Sequence, residues 1–335
     1  MDDIDAVVLA AGKGTRMSSS IPKVLHRLEG KPILEHLLVT LQSLRCGPPI
    51  VVVGYGAQTV KTSVPESLEV RYVLQNRQLG TGHALLQTKG EAESKNLLVI
   101  PGDVPLVTHS TLKAFVENSL ERRSDLAVLT TRLDDPTGYG RIIRDKKGDL
   151  TAVVEERDAT TAQKEIQEIN TGIFLLKNTE HLWQELSHLD TDNDQGELYL
   201  TDLVERFRLK NRSVTAILKG EVEEFLGINT RRDLVRAHRL LHDRRIDAFL
   251  NSGVTITNPH TTLIGNQVQI GKDTVVRGFS VLEGETWVGK RCRLGPAVHI
   301  SDSKISRGVS VTRSRIIGTT VKPNTTVGPY SIIGA

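Results

Sequence analysis

The sequence predicts an α/β domain on a mostly parallel sheet, followed by a short parallel β-helix of hexapeptide repeats. Two observations predict it. Up to about residue 230, strand-length apolar runs alternate with helical periodicity and end in polar turns. From Ile264 onward, aliphatic residues recur every sixth position, a period that fits neither a helix nor an ordinary strand. With 335 residues the chain is long enough to bury a separate core in each part.

The elements follow in order. Residues 5–10, DAVVLA, form a first buried strand that runs into a Gly-rich turn at residues 11–14. Residues 33–44 place Ile33, Leu34, Leu37, Leu38, Leu41 and Leu44 on one helical face. Further strands are expected at 50–53, 70–74, 97–100 and 126–131. Apolar strands that alternate with helices imply a parallel sheet covered on both faces. Ligands in such sheets sit beyond the carboxyl ends of the strands. A helix over 230–252, opened by Thr230 and Asp233 as a capping box and closed at Ser252-Gly253, connects the two parts. The expected domains are therefore 1–229, the connecting helix 230–252, and 253–335.

In the last part, Ile264, Ile270, Val276, Leu282, Val288, Leu294 and Ile300 recur at six without a gap. Small or β-branched residues follow four positions later, at Val268, Thr274, Ser280, Thr286, Cys292 and Val298. After a phase slip the pattern resumes at Ile305, Val311 and Ile317, then at Val321, Val327 and Ile333. Each aliphatic residue is expected to stack on its equivalents along a prism axis.

Composition excludes several classes. No apolar stretch approaches the roughly 20 residues needed to span a bilayer, so membrane insertion is not expected. The formal charge of +3 gives no case for nucleic-acid binding. Cys46 and Cys292 are too few for a disulfide framework or a zinc site, and a cytoplasmic setting is expected. The acidic start MDDIDAVVLAAG turns directly into a strand pattern, unlike a signal peptide. His238 and His242 share a helix face without the Glu of a metalloprotease motif, so they read as a surface pair.

The chemistry concentrates in a few strings. Leu9, Ala10, Ala11, Gly12, Lys13, Gly14, Thr15, Arg16 and Met17 form the first turn, with Pro22-Lys23 after it. Its glycines let backbone N–H groups converge on phosphate oxygens, and Arg16 and Lys23 add positive charge. The spacing is not that of a P-loop, and Met17 stands where the third glycine of a dinucleotide fingerprint would be. Asp103 in Pro101-Gly102-Asp103 closes a buried strand, where a carboxylate can meet a hard cation.

The string G-x-G-T-R-M followed by P-K resembles the signature with which sugar nucleotidyltransferases hold a nucleoside triphosphate. Residues 75–84, QNRQLGTGHA, closely resemble the base-recognition segment of the bacterial N-acetylglucosamine-1-phosphate uridyltransferase (GlmU) family. Residues 101–106 resemble that family's metal and phosphate loop, although Pro101 stands where some relatives carry Tyr. Residues 136–141, 154–155, 168–172, 196–202 and 227–231 resemble its remaining segments, in its order. The resemblance covers essentially the whole chain. It implies a Rossmann-like nucleotidyltransferase domain followed by a left-handed parallel β-helix.

The resemblance also implies roles. Arg16, Lys23 and Asp103 are the catalytic residues. Leu9, Ala10, Ala11, Gly12, Gly14, Gln75, Gln78, Gly80, Thr81 and Gly102 bind the nucleotide, with Gln75 giving an amide pair to the uracil edge. Gly140, Glu155, Asn170, Tyr199, Thr201 and Asn229 bind the sugar phosphate. Asp103 and Asn229 hold Mg²⁺. The implied reaction takes UTP and N-acetylglucosamine 1-phosphate to UDP-N-acetylglucosamine and pyrophosphate. The alternatives are an adenylyl- or thymidylyltransferase acting on glucose 1-phosphate, or a silent regulatory subunit. The repeats are expected to assemble a homotrimer. Acetyl transfer, which this bifunctional family performs on a longer β-helix, is expected to be absent, because the chain ends at Ala335 just past Val327-Gly328-Pro329-Tyr330.

Overall fold

The computed structural model describes residues 3–334; Met1, Asp2 and Ala335, at the outer ends of the two expected domains, lie outside the described residues. The chain divides into two compact units, Met1–Leu234 and Val235–Ala335.

The first unit is built on a nine-stranded sheet. Its strands are β1 (Ile4–Ala10), β2 (Ile50–Val53), β3 (Arg71–Leu74), β4 (Asn96–Pro101), β5 (Leu126–Arg132), β6 (Arg141–Arg144), β7 (Leu150–Val154), β8 (Glu168–Lys177) and β9 (Val214–Leu218). The spatial order is β9-β5-β8-β4-β1-β2-β3, with the β6–β7 hairpin attached to β8. Along that path β1 pairs in parallel with β2 and β4, β2 with β3, and β5 with β9. On that path only β8 runs against its neighbours, and the β6–β7 hairpin beside it is antiparallel as well. The strands expected at 5–10, 50–53, 70–74, 97–100 and 126–131 match β1 to β5 within a residue or so at each end. Strand β8 is not foreseen by the sequence reading. Its register shifts between Asn170 and Phe174, and Gly172 sits at φ +79°, so the alternation that marks a strand is broken.

The helices are α1 (Ile33–Ser43), α2 (Ala57–Ser63), α3 (Thr81–Leu86), α4 (His109–Glu121), α5 (Thr161–Lys164), α6 (Glu180–Ser187), α7 (Leu203–Leu209) and α8 (Arg231–Asn251). Successive β1 side chains point to opposite faces. Ala6 and Val8 join a core with Leu34, Leu37, Leu38 and Leu41 of α1 and Leu112, Phe115 and Val116 of α4. Val7 joins the other core, with Leu85, Leu182, Trp183, Leu203 and Phe207 of α3, α6 and α7. Both faces of the sheet are therefore sealed, and the open space lies off its carboxyl edge.

In the second unit, two- and three-residue strands stack in parallel into two five-stranded sheets and one four-stranded sheet. These are the three faces of a left-handed parallel β-helix. Along one face the inward column is Ile264, Leu282, Ile300, Ile316 and Ile333. The expected inward residue Ile317 is thus corrected to Ile316. Ile316 is fully buried and aligns with Ile300, while Ile317 aligns with Ser301. The step from Val311 to Ile316 is five residues in place of six, and a shift of one residue moves the neighbouring side chain to the other face. Corner residues Phe279, Ala297, Arg313 and Tyr330 adopt the left-handed backbone region, at φ 60°, 56°, 42° and 61°. Among the described residues no helix is long and apolar enough to cross a membrane.

Candidate active site

The turn after β1 carries the first cations. Gly14 has φ +66°, and a Cβ there would lie 2.5 Å from the Cβ of Lys23. Glycine at this position therefore gives Lys23 its place. The Lys23 Nζ sits 2.5 Å from Asp103 Oδ2 and donates at 3.1 Å to Asn229 Oδ1. Arg16 donates to the same Asn229 oxygen at 2.9 Å.

Asp103 is delivered by the end of β4. Gly102 N–H donates to Leu9 O at 2.9 Å, and a Cβ on Gly102 would crowd Leu9 O and the Ala10 Cβ at 3.1 Å. Gly102 thus lets the ends of β1 and β4 close together. Asn229 is delivered by the segment before α8. Ile228 N–H donates to Asp103 O at 2.9 Å, which ties the two loops. Asp233 Oδ2 accepts from the N–H groups of Asn229 and Thr230 and from Thr230 Oγ1, and Thr230 Oγ1 accepts from Asp233 N–H, giving the reciprocal cap expected at this helix start.

Beyond this junction lies a cleft of ≈ 430 Å³ in the first unit. It is lined by Leu9, Ala10, Ala11, Gly12, Lys23 and Asp103, by Gln75, Gln78, Gly80 and Thr81, and by Gly140, Glu155, Asn170, Thr201 and Asn229. A Cβ added to Gly12 would meet nothing within 4 Å, so its bareness leaves room in the cleft rather than relieving the protein. Arg16, Gly14, Gly102 and Tyr199 do not line the cleft. Arg16 reaches its edge through Asn229, while Gly14 and Gly102 shape it from behind. Tyr199 is buried and its hydroxyl accepts from Gln195 at 2.7 Å; its neighbours Leu200 and Thr201 face the cleft instead. The sequence reading missed Tyr139, Glu197 and Gly227 as lining residues. Each lies inside a quoted segment, so adjacency was the signal available.

Gln75 lines the cleft, and its amide already has partners within the protein. Its Nε2 donates to Gly80 O at 3.1 Å and lies 2.9 Å from His83 Nδ1. Both N–H bonds of the amide are therefore engaged, and its oxygen is what remains for a ligand. In this arrangement the amide offers a ligand its oxygen as a single acceptor. Gln78 Nε2 fixes the same residue's main chain by donating to Gln75 O at 3.0 Å.

The opposite wall is acidic. Burial pushes the half-buried Glu155 carboxyl up, with Asp158 and Glu197 adding to the effect and a hydrogen bond from Thr201 opposing it. Asp202 behind it is pushed up to about 6, first by burial and then by Asp190, Glu155, Asp158 and Glu205. An acid whose folded pKa is raised stabilises the fold below its ordinary value and loses that contribution as pH rises through the folded one. For Asp202 the window runs from 3.8 to about 6. Asp202→Asn is expected to melt at a higher temperature than the parent at pH 7, and the difference is expected to vanish below about pH 4. Calorimetry across that range checks it.

Among the described residues no three His, Cys, Asp or Glu side chains cluster as a metal cage. Mg²⁺ needs none, because it keeps waters and takes one or two protein oxygens beside phosphate oxygens. Asp103 Oδ2 and Asn229 Oδ1 already converge on one cation, the Lys23 ammonium. The donor set fits a hexacoordinate ion completed by substrate oxygens.

A Gly-rich turn, two cations and an acid–amide pair at the carboxyl edge of such a sheet define a nucleotidyltransferase. The chain matches the MobA-like NTP transferase domain over residues 6–252. It is 40% identical to the bifunctional protein GlmU of Enterococcus faecalis, over 99% of this chain and 72% of that one. It is 37% identical to the bifunctional protein GlmU of Syntrophomonas wolfei, over 98% and 73%. Among solved structures, HddC from Yersinia pseudotuberculosis complexed with GMP-PN is 26% identical, with a TM-score of 0.53 over 71% of this chain and 99% of that one. The chain belongs to the GlmU family and is a sugar-phosphate nucleotidyltransferase.

Proposed function

We propose that the chain transfers the uridylyl group of UTP to N-acetylglucosamine 1-phosphate, giving UDP-N-acetylglucosamine and pyrophosphate. The observation that carries this reading is the meeting of Lys23, Asp103 and Asn229, from three remote segments, at the mouth of one cleft. A phosphate oxygen of the sugar phosphate attacks the α-phosphorus in line, and the bond to the β-phosphate oxygen breaks to release pyrophosphate. Lys23, Arg16 and the turn around Gly12 hold the triphosphate and neutralise charge that grows on it. Mg²⁺ on Asp103 and Asn229 supplies further neutralisation when bound. Glu155, Asn170, Thr201 and the Gly140 N–H face the sugar.

The Gln75 oxygen supports uracil. Uracil carries an N–H at N3, whereas cytosine carries a bare acceptor there. Gln75→Ala is expected to raise KM for UTP and to lower its kcat/KM advantage over CTP by about tenfold or more. A change confined to the sugar-phosphate KM would place Gln75 against the wrong substrate. Pyrophosphate release across a panel of nucleotides and sugar phosphates tests the reaction itself. A preference for ATP or dTTP with glucose 1-phosphate would select the alternative specificity, and no release with any pair would leave a silent subunit.

For the second unit the proposal is assembly into a homotrimer. Its support is the exposure of Leu263, Phe279, Tyr330 and Ile332, at 59%, 69%, 79% and 76%. Apolar surface of this kind on a prism face or corner calls for a partner, and cyclic symmetry supplies one.

A further inference from the structure

We propose that His83 is a specificity-determining positioning residue, which fixes the Gln75 amide so that its oxygen, and not its NH2 group, faces the base. The proposal rests on the reading that Gln75 faces the base, and it concerns a residue that does not itself line the cleft.

The geometry is a short chain of contacts. Gln75 is 3% exposed at the end of β3, so its amide is chosen by protein partners rather than by water. On one side it meets Gly80 O, an obligatory acceptor, at 3.1 Å. On the other it meets His83 Nδ1 at 2.9 Å. An imidazole nitrogen accepts only when it carries no proton, so this contact requires His83 neutral with its hydrogen on Nε2. Burial, and then the charge of Arg77, push the His83 pKa down and favour that neutral ring.

The ring must also choose between two glutamines. Gln87 Nε2 lies 3.3 Å from His83 Nε2 and donates to His83 O at 3.2 Å. A neutral imidazole accepts at one nitrogen only, so the Gln75 and Gln87 amides cannot both donate to it. The contact with Gln75 is the shorter and comes with the Gly80 carbonyl. It therefore wins, and Gln87 keeps the His83 carbonyl as its acceptor, with no bond to the ring. With the ring so set, an inverted Gln75 amide would place oxygen against oxygen at Gly80 and against a lone pair at Nδ1. Without the His83 acceptor only the Gly80 contact resists inversion. An inverted Gln75 would offer N–H to the base, which suits the N3 of cytosine and repels the N3–H of uracil.

The test compares kcat/KM for UTP and CTP in the full chain. His83→Phe and His83→Leu remove the acceptor, and His83→Asn restores an oxygen near the place of Nδ1. The first two are expected to lower the UTP-to-CTP ratio about tenfold through KM for the nucleotide. KM for the sugar phosphate should hold, and His83→Asn should recover most of the ratio. A purely structural role would move both KM values and would not be rescued by Asn. Gln75→Ala separates the two levels. If it leaves the ratio unchanged, the placement of Gln75 at the base is wrong. If it collapses the ratio while both acceptor-free variants keep the parent value, Gln75 faces the base but His83 does not set it, and the proposal is overturned. Should one acceptor-free variant fail to fold, the other carries the comparison.

Discussion

Asp103→Ala is expected to lower turnover about 100-fold or more, measured as pyrophosphate release at saturating UTP, sugar phosphate and Mg²⁺. The side chain is 14% exposed and sits where three loops meet, so its carboxylate acts on whatever cation lies there. With alanine in its place Lys23 keeps only the Asn229 oxygen at 3.1 Å, and the carboxylate that would hold a divalent ion beside it is gone. The fold should survive, because the backbone tie from Ile228 N–H to Asp103 O does not need the side chain. Asp103→Asn keeps the shape without the charge and is expected to fall between. Its activity should recover partly as Mg²⁺ is raised, which a mere loss of packing would not allow. Near-parental turnover of the alanine variant at ordinary Mg²⁺ would remove Asp103 from the mechanism.

Legibility in the sequence followed the range of the forces involved. Strands β1 to β4 announce themselves because apolar side chains must fill two cores, and a continuous run such as Ile50 to Val53 has no other use. The hexads announce themselves because each rung repeats the same stacking problem, yet one rung was misplaced where the phase slip made Ile316 and Ile317 equally plausible as letters. Strand β8 stayed hidden behind its bulge. In the site, residue types and order marked Lys23, Asp103 and Asn229 on the strength of a family resemblance, and the structure brings them together. What the letters do not carry is direction. Nothing in QNRQLGTGHA says that the Gln75 amide spends its N–H bonds on Gly80 and His83, or that the Tyr199 ring turns inward while Thr201 faces the cleft. The partners are near in sequence, at most eight residues apart, but which way each side chain turns is set by backbone geometry that residue types do not state.

Gly80→Ala is expected to destabilise the protein by about 3 kcal/mol and to weaken UTP binding with it. Gly80 stands at φ 108° and ψ 177°, a conformation that costs any residue with a Cβ. The added carbon would lie 2.6 Å from Leu198 O and 2.7 Å from Leu198 N. These are backbone atoms, and both are committed. Leu198 N–H donates to Leu79 O at 2.8 Å, and Leu198 O accepts from Gly82 N–H at 2.8 Å. Relief therefore has to part residues 79–82 from residues 197–200, which carries Thr81 and the Gly80 carbonyl away from Gln75. Gly12→Ala is the contrasting variant. Its new Cβ meets no protein atom within 4 Å and its φ is ordinary, so denaturant stability should hold. The vacated space belongs to the cleft, so KM for UTP should rise even though the fold is untouched. Equal stabilities for the Gly80 variant and the parent would show that the 79–82 segment moves freely, and would remove the rigid support on which the placement of Gln75 depends.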